Sequence, residues 1–535
     1  LFDAVFEHRQ MMARLPIIEK KGDELTVFHI QTKAFDSQKH KLVDKQGELY
    51  PKWRDYLLNF AYQLFIIKQN FPELKPVPVL VMPEKKSLSH SNNLPRLLNE
   101  GSSKIPLENQ QLLAKLDVGQ YISMIWENLD FAEKYLPKSS FSESLAFLRQ
   151  TYFSQAKIPA EIGLKCKHCE FRIGENRRKE DRPSGFEACW QPHQTGEHVF
   201  DLIGPATNDW IEQGVYNQQD ITHEDIFSVD DILKAEGRIT EKMRQALQIH
   251  KAKDEEVPEE IIRPGLVKEL ERWQYPLHFL DFEAGNYAIP VRSGRSPYHL
   301  VVFQFSCHTL HEDGSWSHHQ WMDDFESGYV NYELVRRLKK VPQITEGTIV
   351  QYSNFERHAL KKIRRELMKE RESVSDADEL IEWIDQIIRR NDSTHHRAPF
   401  MADLSRQVKH FYYNREMVNS LSIKDVLRSV MSHSEFLKEK YSKPYSSHNF
   451  DGMIWWQPEG ENGIRNPYKL LVEKEVGSVR RGTEAMVAYG KLISRKLPED
   501  ELKGYQQSLF RYCELDTLAM VMIYQHWQQA VKKLQ

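Results

Sequence analysis

Apolar positions recur at two spacings along this chain, and the change from one to the other marks out its elements. Residues 15–18 (LPII) and 25–30 (LTVFHI) read as paired strands, joined by the turn signal Lys21-Gly22-Asp23. Residues 56–68 (YLLNFAYQLFIIK) have helical spacing, and residues 77–82 form a buried strand. From 93 to 157 the pattern turns helical and polar, with 112–116 and 121–135 as its clearest amphipathic stretches. Strands return at 277–280, 298–308, 315–321 and 347–352, with His311-Glu312-Asp313-Gly314 as the turn between the second and third. Helical patterns cover 332–340, 358–372, 376–390 and 482–497, and a long one contains 509–516 and runs to about 531. The segment 438–467, rich in Ser, Gly, Asn, Pro and Trp, fits a long loop or a lid.

Chemistry concentrates where an apolar run meets acids. Leu277-His278-Phe279-Leu280 leads into Asp281-Phe282-Glu283, and strand alternation points both carboxylates the same way. Hard divalent cations need oxygen ligands held together, so one reading is a metal site; the other is a strand that reaches solvent and ends in acids. Ser353-Asn354 supply an N-cap for the helix after the 347–352 strand, which sets Glu356 in its first turn. Tyr512 and Asp516, four apart, share a helix face. Asp403 either reaches the same centre or caps a helix. His308, His318 and His319 are either metal ligands or, as alternating strand positions more often give, ordinary edge residues.

Composition narrows the classes. The chain has 535 residues, enough for several domains, with 28% charged and 40% hydrophobic residues, as in ordinary soluble proteins. A net charge of -4 means that any nucleic-acid binding must come from local basic patches. The densest is the helix at 358–372, with Lys361, Lys362, Arg364, Arg365 and Lys369; it either guides a strand toward the acids or is simply solvated. Lys424 either contacts phosphate or starts a helix, and Arg177-Arg178-Lys179 with Arg182 form either a phosphate contact or a solvated loop. No apolar run approaches the roughly 18 residues that span a bilayer, so no membrane partner is expected. Five cysteines make no disulfide framework, and a cytoplasmic location is expected. The chain opens on Leu1 rather than Met, which suggests an N-terminal truncation. Cys166-Lys167-His168-Cys169 and Cys189 supply three soft ligands for Zn²⁺ or an iron-sulfur cluster, with His168 and His193 as candidates for the fourth; the other reading is free thiols in a loop.

An acid pair D-x-E, an acid after a second strand and a closing Y-x-x-x-D resemble the DEDD exonucleases of tyrosine type, whose fold is RNase H-like. With HFLDFEAGNYAIP, SPYHLVVFQFSCH, YSNFERHAL, NSLSIKDVL and YCELDTLAM, residues 275–525 look like the bacterial domain of unknown function numbered 2779. The resemblance implies that Asp281, Glu283, Glu356 and Asp516 hold two Mg²⁺ or Mn²⁺ ions and that Tyr512 positions the attacking water. Most DEDD enzymes carry Asp where Glu356 stands.

The first hundred residues resemble a RecB-type PD-(D/E)XK nuclease core, with Gln63 in an AYQ segment. Such a site needs Asp on the first hairpin strand and Glu-x-Lys on the next. Here Pro16 and Gln31-Thr32-Lys33 stand at those positions, so the expectation is a nuclease fold that has lost its chemistry, unless Glu19 or Asp36 serves instead. RecB-type nucleases with a 4Fe-4S cluster place three cysteines after the core and one before it, which here would lie upstream of Leu1. Residues 201–221 resemble a helix-hairpin-helix unit, or form a connector.

The expected architecture is α/β: a PD-(D/E)XK module at 1–200, a connector and linker at 201–262, and an RNase H-like mixed sheet with flanking helices at 263–535. The expected activity is metal-dependent 3′-5′ exonuclease cleavage of single-stranded DNA or RNA. The alternative is a non-catalytic nucleic-acid-binding scaffold built from nuclease folds.

Overall fold

The computed structural model describes residues 1–101, 105–159, 161–173, 184–191, 193, 195–204, 207–222, 226–325, 328–388, 400–417, 420–460, 463–471 and 478–534. It is a mixed α/β protein of two compact units, one formed by Leu1–Pro159 with Asn286–His299, the other by Ala160–Gly285 with Leu300–Gln535. The basic residues Arg177, Arg178, Lys179 and Arg182 lie outside the described residues. No described helix is long and apolar enough to cross a membrane.

The first unit holds five strands, β1 (Phe2–His8), β2 (Met11–Lys21), β3 (Glu24–Ile30), β4 (Lys75–Pro83) and β5 (Leu113–Asp117), in that spatial order. β2 and β3 form the expected hairpin with Lys21 opposite Glu24, and Gly22 turns the chain at φ +63°, a conformation that costs a glycine little. β3 and β4 run parallel, so the chain must cross over, and the helix Pro51–Asn70 lies in that crossover. Its buried residues Trp53, Leu57, Phe60, Ala61, Leu64 and Ile67 recur every three or four positions and seat it on the sheet core. Residues 112–116 do not continue a helix: 113–117 pair antiparallel with β4. Leu113, Lys115 and Asp117 are exposed while Ala114 is buried, a period of two that five residues cannot distinguish from helical amphipathicity.

The second unit adds β6 (Glu260–Ile262), β7 (Leu277–Asn286), β8 (Leu300–Leu310), β9 (Trp316–Met322), β10 (Thr348–Gln351), β11 (Phe400–Asp403) and β12 (Tyr412–Asn414). Five of them form a mixed sheet in the order β11-β10-β7-β8-β9, with β10 parallel to both β7 and β11 and β9 antiparallel to β8. Alternation along β7 separates two environments. Leu280 and Phe282 enter the core shared with the helices Val330–Leu338, Phe355–Lys369 and Ala377–Ile388. Phe279 meets Tyr524 and Asp281 meets Cys513, both on the helix Glu499–Leu534. Every residue of that helix from Tyr512 to Trp527 is buried, so it is a central helix with no solvent face. Any ionisable group on this stretch must find compensation inside the protein.

The cysteine segment belongs to this second unit. Phe186 and Trp190 of the helix Gly185–Trp190 pack with Val199, Phe200, Ile211 and Ile249, and Cys166 and Cys169 lie against that cluster.

Candidate metal centre

The central helix, strand β7 and the helix after β10 carry the predicted acids. Asp281 and Glu283 project from β7, Glu356 from the first turn of the helix after β10, and Asp516 from the central helix. Glu283, Glu356 and Asp516 are buried, and Asp281 is partly so. Burial comes first among the causes that push Asp281 and Glu283 well above the carboxylate range, with the negative charge of Asp516 next. Burial likewise pushes Glu356 up to about 8 and Asp516 up to about 6. The charges of Asp516, Glu283 and Glu356 all act on Asp281, and a carboxylate oxygen of Asp281 lies within 4.8 Å of one of Glu283.

Few partners offset that charge. Glu356 accepts hydrogen bonds from its own backbone N–H and that of Phe282, yet its Oε2 is buried without any donor. Lys424 is the cation that acts on Glu283 and Asp516. Its ammonium lies 4.8 Å from the ring centre of Tyr468 and 5.0 Å from that of Tyr512, and it donates to the Arg480 carbonyl. Lys424 therefore stands at the start of the helix Ile423–His433, as one reading had it, and also faces the acids from within the site. Tyr512 hydrogen-bonds Asp516, as the four-residue spacing allows. Hard oxygen donors, an orphaned carboxylate oxygen and, among the described residues, the one ammonium of Lys424 fit divalent cations at Asp281, Glu283, Glu356 and Asp516.

Residues 278–422 match the model of a domain-of-unknown-function family, DUF2779. The matched segment contains Asp281, Glu283 and Glu356 and stops short of Lys424, Tyr512 and Asp516. No curated protein and no solved structure matches the chain.

Sequence reasoning missed two residues of this centre. Tyr468 donates to Asp516 Oδ1 at 2.5 Å. It sits in the four-residue helix Pro467–Leu470 and carried no periodic signal. Cys513 contacts Asp281 Oδ2 at 3.5 Å, and its thiol shares a space with Asp281 and Glu283. Its position beside Tyr512 was the available clue.

Other candidates settle differently. Asp403 caps the helix Leu404–Phe411 by accepting from Arg406 N–H and also accepts from Ser353 N–H, and its negative charge acts on Glu356, so both readings of it hold in part. The cap at Asn354 makes no side-chain bond to its own helix; Gln351 accepts from Arg357 N–H there instead. On the basic helix, Arg364 pairs with Asp385, while Lys361 and Arg365 are exposed and Lys362 is half-buried. Cys166, Cys169 and Cys189 form no group of three convergent metal ligands, with or without His168 or His193, among the described residues. His308 is not an edge residue: it is buried, opposite His318 on the neighbouring strand, because the central helix covers that end of the sheet.

In the first unit the corresponding place is neutral. Gln63 Oε1 accepts from His29 Nδ1 at 3.0 Å, and Gln31 Nε2 donates to His29 Nε2 at 2.7 Å, while Pro16 lies on β2. Glu19 is half-exposed and paired with Lys21, and Asp36 accepts from Gln38 N–H. The described residues of this unit hold no group of three convergent metal ligands.

Proposed function

We propose that the second unit is a metal-dependent phosphodiesterase, an RNase H-like 3′-5′ exonuclease acting on single-stranded DNA or RNA. The observation that carries this reading is the convergence of four largely buried carboxylates with Lys424 as their neighbouring cation, one carboxylate oxygen having no donor at all. The strand order supports the fold assignment: three consecutive strands, β9-β8-β7, extended beyond β7 by β10 and β11 running parallel to it. Bound Mg²⁺ or Mn²⁺ would supply Lewis-acid activation of water and of the leaving oxygen. The protein's own part is to hold the acids in place. Tyr468 fixes one oxygen of Asp516, and Tyr512, bonded to the same carboxylate, presents its hydroxyl to the attacking water. Lys424 limits repulsion before the cations arrive and would meet a phosphate oxygen afterwards. The neutral chain Gln63-His29-Gln31 supports a non-catalytic first unit.

The test is shortening of end-labelled single-stranded DNA and RNA by the purified protein with Mn²⁺, with both label positions compared to read polarity. Wild type should trim from the 3′ end and Asp281→Asn/Asp516→Asn should not. Equal trimming by both, or none by wild type, overturns the reading.

A further inference from the structure

A second polar cluster lies along the central helix, and its hydrogen bonds leave one nitrogen of each of two imidazoles without a proton. His308 on β8 and His318 on β9 are direct cross-strand partners, with rings stacked 4.4 Å apart. Glu514, fully buried, approaches them from the central helix, and one potential ligand atom from each of the three lies within 4.8 Å of the others. None of the three belongs to the carboxylate centre described above.

The donors can be followed one by one. Thr517 gives its hydroxyl proton to the Glu514 carbonyl at 2.9 Å, one turn back on the helix. It then accepts from Ser306 at 2.8 Å and from His308 Nδ1 at 2.7 Å, so the His308 proton is on Nδ1. With its own proton on Thr517, Ser306 accepts from His318 Nε2 at 2.9 Å, which places the His318 proton on Nε2. His308 Nε2 and His318 Nδ1 are left as lone pairs. Neither has a donor of its own among the described residues: Tyr445, 3.5 Å from His308 Nε2, gives its proton to Glu514 Oε1 at 2.9 Å, and His318 Nδ1 faces Glu514 Oε2 at 3.9 Å. Asn449 donates to the same Oε2 at 2.7 Å, and with Ser447, which also hydrogen-bonds Glu514, it holds the carboxylate in place.

Two imidazole lone pairs and a carboxylate facing one another without a proton between them repel unless a cation sits among them. Outer hydrogen bonds that fix each imidazole tautomer are what metal-ligating histidines ordinarily have. We propose that His308, His318 and Glu514 bind a divalent transition-metal ion of the zinc class, which braces β8 and β9 against the central helix. The donor set, two nitrogens and an oxygen, is one that Zn²⁺ takes, and bonds of about 2.0–2.1 Å require only a small inward movement of the side chains. Tyr445 contributes a further oxygen at the same place.

The test uses the full chain carrying Asp281→Asn/Asp516→Asn, so that the carboxylate centre does not contribute. After chelator treatment, Zn²⁺ binding is counted by elemental analysis and Co²⁺ binding is followed by its visible spectrum. One ion per chain, a tetrahedral Co²⁺ spectrum and a melting point raised by about 5 °C are expected. Adding Glu514→Gln should abolish all three. His318→Asn serves as the second variant if the first does not fold. No stoichiometric metal in the parent, or undiminished binding in a folded Glu514→Gln or His318→Asn protein, overturns the proposal.

Discussion

Both units set a five-stranded mixed sheet against helices, yet the polar residues at comparable places have opposite electrostatics. In the first unit, His29 is flanked by two uncharged amides, and burial lowers its pKa so that it stays neutral. That arrangement needs nothing from outside. In the second, four acids with Lys424 beside them are raised out of the carboxylate range, and one oxygen has no donor. Such an arrangement is costly unless something positive is added. The difference shows how a fold of one general class can be an electrostatically complete scaffold or an incomplete one that a ligand completes.

The comparison is broken most directly at the acids. Asp281→Asn/Asp516→Asn should lower Mn²⁺-dependent oligonucleotide cleavage by about 10³-fold or more, because several kcal/mol of charge stabilisation disappear. Retained cleavage in a gel assay would move the activity elsewhere.

Next in size is the dependence of stability on pH. Glu356 at about 8 and Asp516 at about 6 lie above their unfolded values of 4.5 and 3.8, so the folded protein binds more protons than the unfolded chain. Stability therefore falls as pH rises through that window. Metal-free protein should melt about 5 °C lower at about pH 8.5 than at about pH 6, and Mn²⁺ should reverse the loss. A flat profile by differential scanning calorimetry would mean that the acids are already compensated.

Tyr468→Phe removes the hydroxyl that fixes Asp516 and leaves the ring in place. Turnover should fall about tenfold with KM little changed, since the residue positions a ligand and does not bind substrate. The smallest effect is expected in the first unit. Gln31→Ala should leave cleavage within about twofold and cost about 1 kcal/mol in a denaturant titration, the worth of one hydrogen bond.

Most elements of both sheets were legible from short-range pattern, though the strands Phe2–His8 and Phe400–Asp403 were not. The hairpin at Gly22, the helix Pro51–Asn70, the strand bearing Asp281 and Glu283 and the long terminal helix follow from turn residues and from apolar spacing of two or three to four. The strand at 113–117 was read as helix because five residues hold too little of either period. Tyr468 and Cys513 escaped notice for a different reason. A side chain that supports a site from a four-residue helix, or from the buried side of a long one, leaves no trace in local spacing.

Sequence alone determined that acids follow an apolar strand and that Tyr512 and Asp516 share a helix face, because backbone geometry fixes where neighbours point. Tertiary structure decided which distant acids meet, that Lys424 faces them, and that His308 and His318 are sealed against Glu514. Those outcomes depend on which elements pack together, and burial then sets the charge of every ionisable group between them.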